Sequence, residues 1–442
     1  MKESVKRNLN MVWKGVLTFL AIVVVCFGFL FLCACIPQSA LRQNVIKSAE
    51  YFNEVPLFEN TVGTFQNFKK DNYADCISIN IAWNFGDGAP FYAVITSDYA
   101  YEADKNVNQT FYKSLMEESI GRQSYSRYWH GSAGVLRILL CFMNIESIRY
   151  MFMVMGILLH IAVAICLYRK GHGALAAIYV IGFISVNGVF ALGCLEYGFV
   201  FILMLVMILC LLLLKGKKSN EKAALFFLIS GMLTAFFDFL TAETLTFTVP
   251  FVIYYIVLYG ENGKKKSGWL FLLQSGICWG LGYAGMFLTK WGMAVAVLGM
   301  DAFSEATGMA AERISGAVSL SADMSGEKAS FMERLQGIFA RNAGCLYWGT
   351  DSMSLQNVLL ITIVLFLVLG VFWYMGRQEK CRYEKAGILI LLAFIPYLRF
   401  LVLSNHSFIH YFFTYRAQMI TVMVVLFLIY ETTFLSIKKQ RK

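Results

Sequence analysis

What most constrains this chain is a repeated alternation: apolar runs of about 20 residues, broken by short loops rich in lysine and arginine. A run of that length crosses a hydrocarbon core as a helix, because a helix satisfies its own backbone donors and acceptors where no water can. The runs fall near 16–35, 148–168, 174–191, 197–214, 223–240, 245–259, 269–288, 358–375, 388–403 and 412–429. A soluble domain hides one such helix, not ten. Only 15% of residues are charged, against roughly 25% in soluble domains. The expected fold class is an all-α polytopic membrane protein of about ten transmembrane helices.

The net charge of +10 does not mark a nucleic-acid binder, because the basic residues sit in alternate short loops as orientation signals do. Arg169 and Lys170 form one group, Lys215, Lys217, Lys218 and Lys222 a second, and Lys264, Lys265 and Lys266 a third. Arg377, Lys380, Arg382 and Lys385 follow, then Lys438, Lys439, Arg441 and Lys442 in the tail. The opposite turns at 191–196 and 241–243 carry no Lys or Arg. An error of one span would reverse this bias midway, and none appears. Both termini are therefore expected in the cytoplasm. The basic start followed by an apolar run looks like a signal peptide. The run is long for one, however, and Cys33-Ala34-Cys35 makes a poor cleavage site, so a retained first helix is expected.

These boundaries divide the chain into a first transmembrane helix (1–36), an extracytoplasmic loop with interfacial helices (37–147) and helices two to seven (148–289). A second extracytoplasmic loop (290–356) and helices eight to ten with the tail (357–442) complete it. Residues 132–143 are too short to span and carry Arg137, so a helix at the interface or tucked against the bundle is expected. Residues 331–341 are amphipathic and suit a helix lying over the bundle. Cys76 and Cys345 both fall in the outer segments, where a disulfide is conceivable; free thiols are the expectation. Asn108-Gln109-Thr110 matches a glycosylation sequon, a weak three-residue signal.

Ionisable groups at membrane depth are costly and usually have a task. Here they gather on one side: Glu196, Asp238 with Thr241 and Glu243, Lys290, and a final group of Arg399, Asn405, His406, His410, Tyr415 and Arg416. A conducting pathway needs polar groups on both sides of the midplane, whereas a one-sided collection fits a cavity open to the outer face. In the first loop Asp71 and Asp75 are four apart, on one face if helical, and either is a candidate base or a ligand for a divalent cation. Ordinary solvated acids are the plain alternative. The apolar stretch from Ile77 to Asn84 that follows favours docking on the bundle. Arg127-Tyr128-Trp129-His130 concentrates a guanidinium, two large rings and an imidazole, although an interfacial aromatic belt would also explain the rings. His406 and His410 share a metal-helix spacing, but Ser407 follows His406 and the zinc-protease motif is absent.

This layout resembles the GT-C superfold of multi-span glycosyltransferases, which take sugars from polyprenyl-phosphate carriers. The blocks 127–131, 237–241 and 405–416 also resemble a group of uncharacterised Gram-positive and gut-bacterial membrane proteins. The superfold resemblance implies an outward cavity with a catalytic aspartate from the first loop, at Asp71 or Asp75. It also implies transfer from a lipid-linked sugar to a cell-envelope acceptor, with membrane lipids around the protein and no nucleic-acid partner. His130, His406 or His410 would assist. Arg416, Arg399 and Lys290 would meet the leaving phosphate, and Trp83 and Trp129 would stack on sugar. Arg127, Tyr128, Asp238, Glu243 and Tyr415 complete the expected substrate surface. No metal is required for a phosphate leaving group, and a divalent cation remains compatible with the acid pair. The competing readings are a polysaccharide polymerase or ligase relying on arginine and histidine, a lipid-linked saccharide transporter or flippase, and a scaffold without a deep cavity.

Overall fold

The computed structural model describes residues 2–103, 105–116, 120–214, 219–238, 240–259, 267–316, 331–347, 349–350, 370 and 380–440. Among these, six helical segments are long and apolar enough to cross a membrane: Met11–Ala34, Ile145–Arg169, Leu195–Leu212, Gly268–Leu298, Glu384–Val402 and Tyr411–Thr432. The chain is an all-α polytopic membrane protein. Three further apolar helices, Gly173–Ser185, Lys222–Phe237 and Leu245–Val257, are shorter, about 20–24 Å at 1.5 Å per residue. The expected span at 358–375 lies outside the described residues apart from position 370, as do the basic loops at 215–218 and 264–266.

In chain order the first elements are α1 (Lys2–Ala34), α2 (Gln38–Glu54), an antiparallel pair β1 (Phe58–Asn60) and β2 (Lys69–Asp71), and α3 (Asn72–Asn84). Next come α4 (Pro90–Thr96), β3 (Tyr99–Ala100), α5 (Val107–Met116), β4 (Arg122–Gln123) paired with β3, and α6 (Gly131–Leu139). The bundle follows with α7 (Ile145–Arg169), α8 (Gly173–Ser185), α9 (Gly188–Leu192), α10 (Leu195–Leu212), α11 (Ser219–Phe237), α12 (Leu245–Val257) and α13 (Gly268–Leu298). After α14 (Met300–Ser315) and α15 (Phe331–Tyr347), the chain closes with α16 (Lys380–Val402), α17 (Ser404–Ile409), α18 (Tyr411–Thr414) and α19 (Met419–Gln440).

The first loop is packed against the bundle. Leu41, Val45 and Phe52 of α2, Ile79 and Ile81 of α3, and Phe111 of α5 share one core with Leu30 of α1, Ile148 of α7, Phe236 of α11 and Met286 of α13. Polar groups pin the same interface. Trp129 Nε1 donates to the Met286 carbonyl at 2.7 Å and Lys290 Nζ to that of Val94 at 2.7 Å. Helix α6 is tucked in as the sequence suggests. Arg137 is fully buried and donates to the Cys33 carbonyl at 2.9 Å and the Trp83 carbonyl at 3.1 Å, with Ala82 and Ile36 as further acceptors. One guanidinium thus caps the C-terminal ends of α1 and α3, where helix carbonyls lack partners.

The apolar run at 174–191 does not form one helix. It breaks at Asn187, whose φ of 51° lies in the left-handed region that asparagine tolerates. The Asn187 side chain donates to the Asn67 carbonyl at 2.9 Å, so the break is anchored to the loop before β2. In α15, Ile338 packs with Phe400 and Phe408, which seats this amphipathic helix over α16 and α17. Among the described cysteines no disulfide forms, and Cys76 and Cys345, both buried, are not linked to each other.

Candidate functional site

Strand β2 ends at Asp71, which is also the N-cap of α3: its carboxylate accepts from the Ala74 N–H at 2.8 Å. Aspartate suits both the cap and the positive end of the helix dipole. Four residues on, Asp75 is also buried but has different neighbours. It receives Arg149 of α7 through Nε at 2.8 Å and Nη2 at 2.7 Å, and the N–H groups of Leu195 at 3.3 Å and Glu196 at 3.0 Å. Asp75 therefore supplies an anion to the start of α10, whose own N-cap residue, Cys194, makes no side-chain bond. That contact brings Glu196, in the first turn of α10, beside Asp71.

These elements surround a cavity of about 340 Å³. Asp71, Tyr73 and Ser78 form one wall and Glu196 adjoins them. Tyr99, Tyr101 and Tyr125 contribute rings, and α14 supplies Glu305, Met309, Glu312 and Arg313. His406 and His410 close the far side. The tyrosines are positioned through Asn80, whose amide mimics a strand partner: Nδ2 donates to the Ala100 carbonyl at 3.1 Å and Oδ1 accepts from its N–H at 2.9 Å. Arg127 lies over the Tyr125 ring at 4.1 Å and pairs with Glu305 at 2.8 Å.

Burial raises the Asp71 carboxyl to about 7, and the nearby Asp75 charge adds to this; the Ala74 N–H, Glu196 and Arg149 pull the other way. The histidines move oppositely. Burial, reinforced by Arg313 and Arg399, lowers His410 to about 3, and burial together with His410 and the same arginines holds His406 well below the usual range. Both are neutral at physiological pH. His406 Nε2 faces the Leu240 carbonyl at 2.9 Å and must carry the proton, leaving Nδ1 to accept from Arg313 at 2.7 Å. Both its ring nitrogens are engaged. His410 Nδ1 has no hydrogen-bond partner among the described residues. Asp71 shares a hydrogen bond with Glu196 at the cavity wall, which requires a proton on one of the two carboxyls.

Of the residues singled out from sequence, the structure brings Asp71, Arg127, His130, His406 and His410 to this cavity. His130, with φ 57°, faces the Tyr125 carbonyl through Nε2 at 2.8 Å. Burial, with Lys290 nearby, lowers it to about 3. Tyr128 lies just behind, lining an adjoining cavity. The others are held elsewhere. Asp75 is in its ion pair, and Lys290 and Trp129 pin the loop to α13. Trp83 is half-buried, and its carbonyl accepts from Gln38 at 3.1 Å. Asp238 accepts from Thr241, and Glu243 pairs with Arg399 at 2.9 Å. Tyr415 donates to the Val186 carbonyl at 2.9 Å. The Arg416 guanidinium is buried over the Tyr197 ring at 4.6 Å, donating to the carbonyls of Phe412 and Asn67, and does not line the cavity.

Sequence reading assigned no role to Arg313, Glu305 and Glu312, nor to the tyrosines at 73, 99, 101 and 125. Glu196 carried a usable signal, an acid opening an apolar run. Tyr99 and Tyr101 are two apart and point the same way in an extended strand. For α14 only the tertiary structure reveals which face meets the cavity.

The fold and the site define a polytopic membrane protein with a polar, aromatic-lined cavity at the end of the bundle that carries the first loop. Among the described residues, no group of three or more His, Cys, Asp or Glu side chains is arranged to hold a metal ion. Compared with protein-family models, curated proteins and solved structures, the chain matches none.

Proposed function

We propose that the chain is a glycosyltransferase of the bacterial cytoplasmic membrane with a GT-C-like layout of ten spans, cytoplasmic termini and a cavity open to the outer face. It moves a sugar from a polyprenyl-phosphate carrier to a cell-envelope acceptor. The observation that carries this reading is the buried Asp71 carboxyl, raised to about 7, lining a cavity that also holds tyrosine rings and two arginines. An acid poised near neutrality is what general-base chemistry asks for. In the proposed step Asp71 takes the proton of an acceptor hydroxyl. The acceptor oxygen bonds to the anomeric carbon, and the carbon–oxygen bond to the carrier breaks with its electron pair going to the departing phosphate. Arg127 and Arg313 oppose the charge gathering there, and the tyrosines offer faces to the sugar. No metal is needed for this leaving group, although a divalent cation is compatible with it.

A second reading, a polysaccharide polymerase or ligase, is favoured by the contact between Arg313 and His406 inside the same cavity. One experiment separates them. The purified protein is incubated with polyprenyl-phosphate sugars and donor consumption is followed. Under the transferase reading, D71N lowers the rate by about 10²–10⁴-fold. Full activity in D71N together with its loss in R313Q would overturn the assignment of the base in favour of the second reading.

A further inference from the structure

The two ends of the cavity differ in charge. At one end Arg127 and Arg313 meet two acids of α14: Glu305 pairs with Arg127 at 2.8 Å, and the buried Glu312 acts on both guanidinium groups. Two cations and two anions balance there. At the other end the wall is Asp71 and Glu196. The charged groups that act most strongly on Glu196 are all acids: Asp71, Asp75 and Asp238. The cations behind this wall are committed elsewhere. Arg149 holds Asp75 at 2.7 Å, Arg399 holds Glu243 at 2.9 Å, Lys290 donates to the Val94 carbonyl, and Arg416 donates to those of Phe412 and Asn67. Among the described residues no cation pairs with Asp71 or Glu196.

This end is also short of donors. With one shared proton the two carboxyls carry a single negative charge, and Glu196 Oε2 is buried with no hydrogen-bond partner among the described residues. His410 Nδ1 has none either, although the residue is only 8% exposed and lines the cavity. The His410 ring stacks on Phe413 at 5.0 Å, and Phe413 lies 5.5 Å from the ring of Tyr197, the neighbour of Glu196. The unpartnered nitrogen therefore lies toward the acid end, where a neutral imidazole can accept a hydrogen bond. The rings of Tyr99 and Tyr101 line the same cavity, and an ammonium is drawn to aromatic faces. An anion would meet acceptors with acceptors. A protonated amine brings three donors and one positive charge, which is what the wall lacks.

We propose that the Asp71–Glu196 end of the cavity binds a primary ammonium, so that the sugar received there is an amino sugar with an unacylated amine. The N–H groups of the ammonium take the place of the shared proton between the two carboxyls, and that proton leaves to solvent. This deepens the transferase reading and rests on it for the ligand's role: because Asp71 takes the acceptor's proton, the amine belongs to the acceptor, close to the reacting hydroxyl. The binding itself is measured without turnover.

The test uses the full-length protein in detergent with no sugar donor present, at about pH 7, where an amine is protonated. Glucosamine, glucose and N-acetylglucosamine are titrated, with sodium chloride added to the two neutral sugars to match ionic strength. The rise in unfolding temperature with concentration gives an apparent Kd for each. Glucosamine should bind at least about tenfold more tightly than either neutral sugar, because only it can form charge-assisted hydrogen bonds with the pair. E196Q keeps the size of the side chain and removes its charge; it should bring glucosamine down to the affinity of glucose and leave glucose within about twofold of the parent. E196D should restore part of the preference. If E196Q does not unfold cooperatively, D71N, which keeps the helix cap, gives the same reading. Equal affinity for the three sugars, binding by none of them, or an amine preference that survives in E196Q or, where that variant is unreadable, in D71N overturns the proposal. Donor consumption that depends on Asp71 without an amine preference removes this site and leaves the transferase reading standing. An amine preference without donor consumption keeps the site and removes the acceptor role.

Discussion

The two aspartates of the first loop should behave oppositely when each is changed to asparagine, and the Asp75 half of that contrast can be worked from the contacts. The Asp75 carboxylate has no exposed surface and receives two N–H groups of Arg149 and two backbone N–H groups at the start of α10. D75N removes the charge and turns an acceptor into a donor facing other donors. Arg149 would keep only its neutral partners, Asn72 Oδ1 at 2.9 Å and Tyr51 at 3.2 Å. A buried cation stripped of its acid costs about 3–5 kcal/mol. The neutral partners place D75N toward the lower part of that range, about 3 kcal/mol. By contrast D71N keeps a good cap, since asparagine and aspartate are nearly equivalent at that position, and should cost less than about 1 kcal/mol. Thermal unfolding of both variants in detergent, with D75L/R149M alongside, reads this directly. The apolar double variant should recover much of the loss, because a buried ion pair replaced whole is often near neutral. Wild-type unfolding behaviour in D75N would refute the claim that this ion pair seats α10 on α3.

Further outcomes follow from other contacts in the structure. Donor consumption should rise with pH through about 7 as Asp71 ionises, and D71E should move that limb while H410Q leaves its position unchanged, because His410 is already neutral. The stability effect has the opposite sign: the folded state keeps the Asp71 proton up to about 7 while the unfolded chain releases it near 3.8, so this group's contribution declines as pH rises through that window. R137A should lower the yield of folded protein in size-exclusion chromatography, since it takes the guanidinium donors from the carbonyls of Cys33, Ile36, Ala82 and Trp83; Cys33 keeps the Ile36 N–H and Trp83 keeps Gln38, and a buried carbonyl left without a donor costs about 1–3 kcal/mol. R137K should recover part of the loss. A Cβ at Gly231 would lie 2.0 Å from the Trp279 carbonyl oxygen, whereas one at Gly280 meets nothing within 4 Å, so G231A should destabilise the contact of α11 with α13 by about 1–3 kcal/mol and G280A should not.

How far the sequence reaches is clearest at the first loop. Apolar length and the placement of lysine and arginine were enough to declare a polytopic membrane protein, because the hydrocarbon core admits few backbone solutions and penalises charge wherever it lies. The cost of charge at membrane depth picked out His406 and His410, and the spacing from Asp75 picked out Asp71; the cavity contains all three. Neither separated Asp71 from Asp75. Spacing along a helix says which residues share a face, but what a carboxyl becomes depends on the element opposite. For Asp75 that element carries Arg149, 74 positions away; for Asp71 it is the start of α10, with Glu196. Arg416 and Arg313 make the same point at the cationic end. Both are arginines near one end of the bundle, yet Arg416 is spent on backbone carbonyls and Arg313 lines the cavity. Membrane insertion is decided by solvent transfer, which sums residue by residue along the chain. The identity of the site is decided by long-range pairing, which no local sum contains.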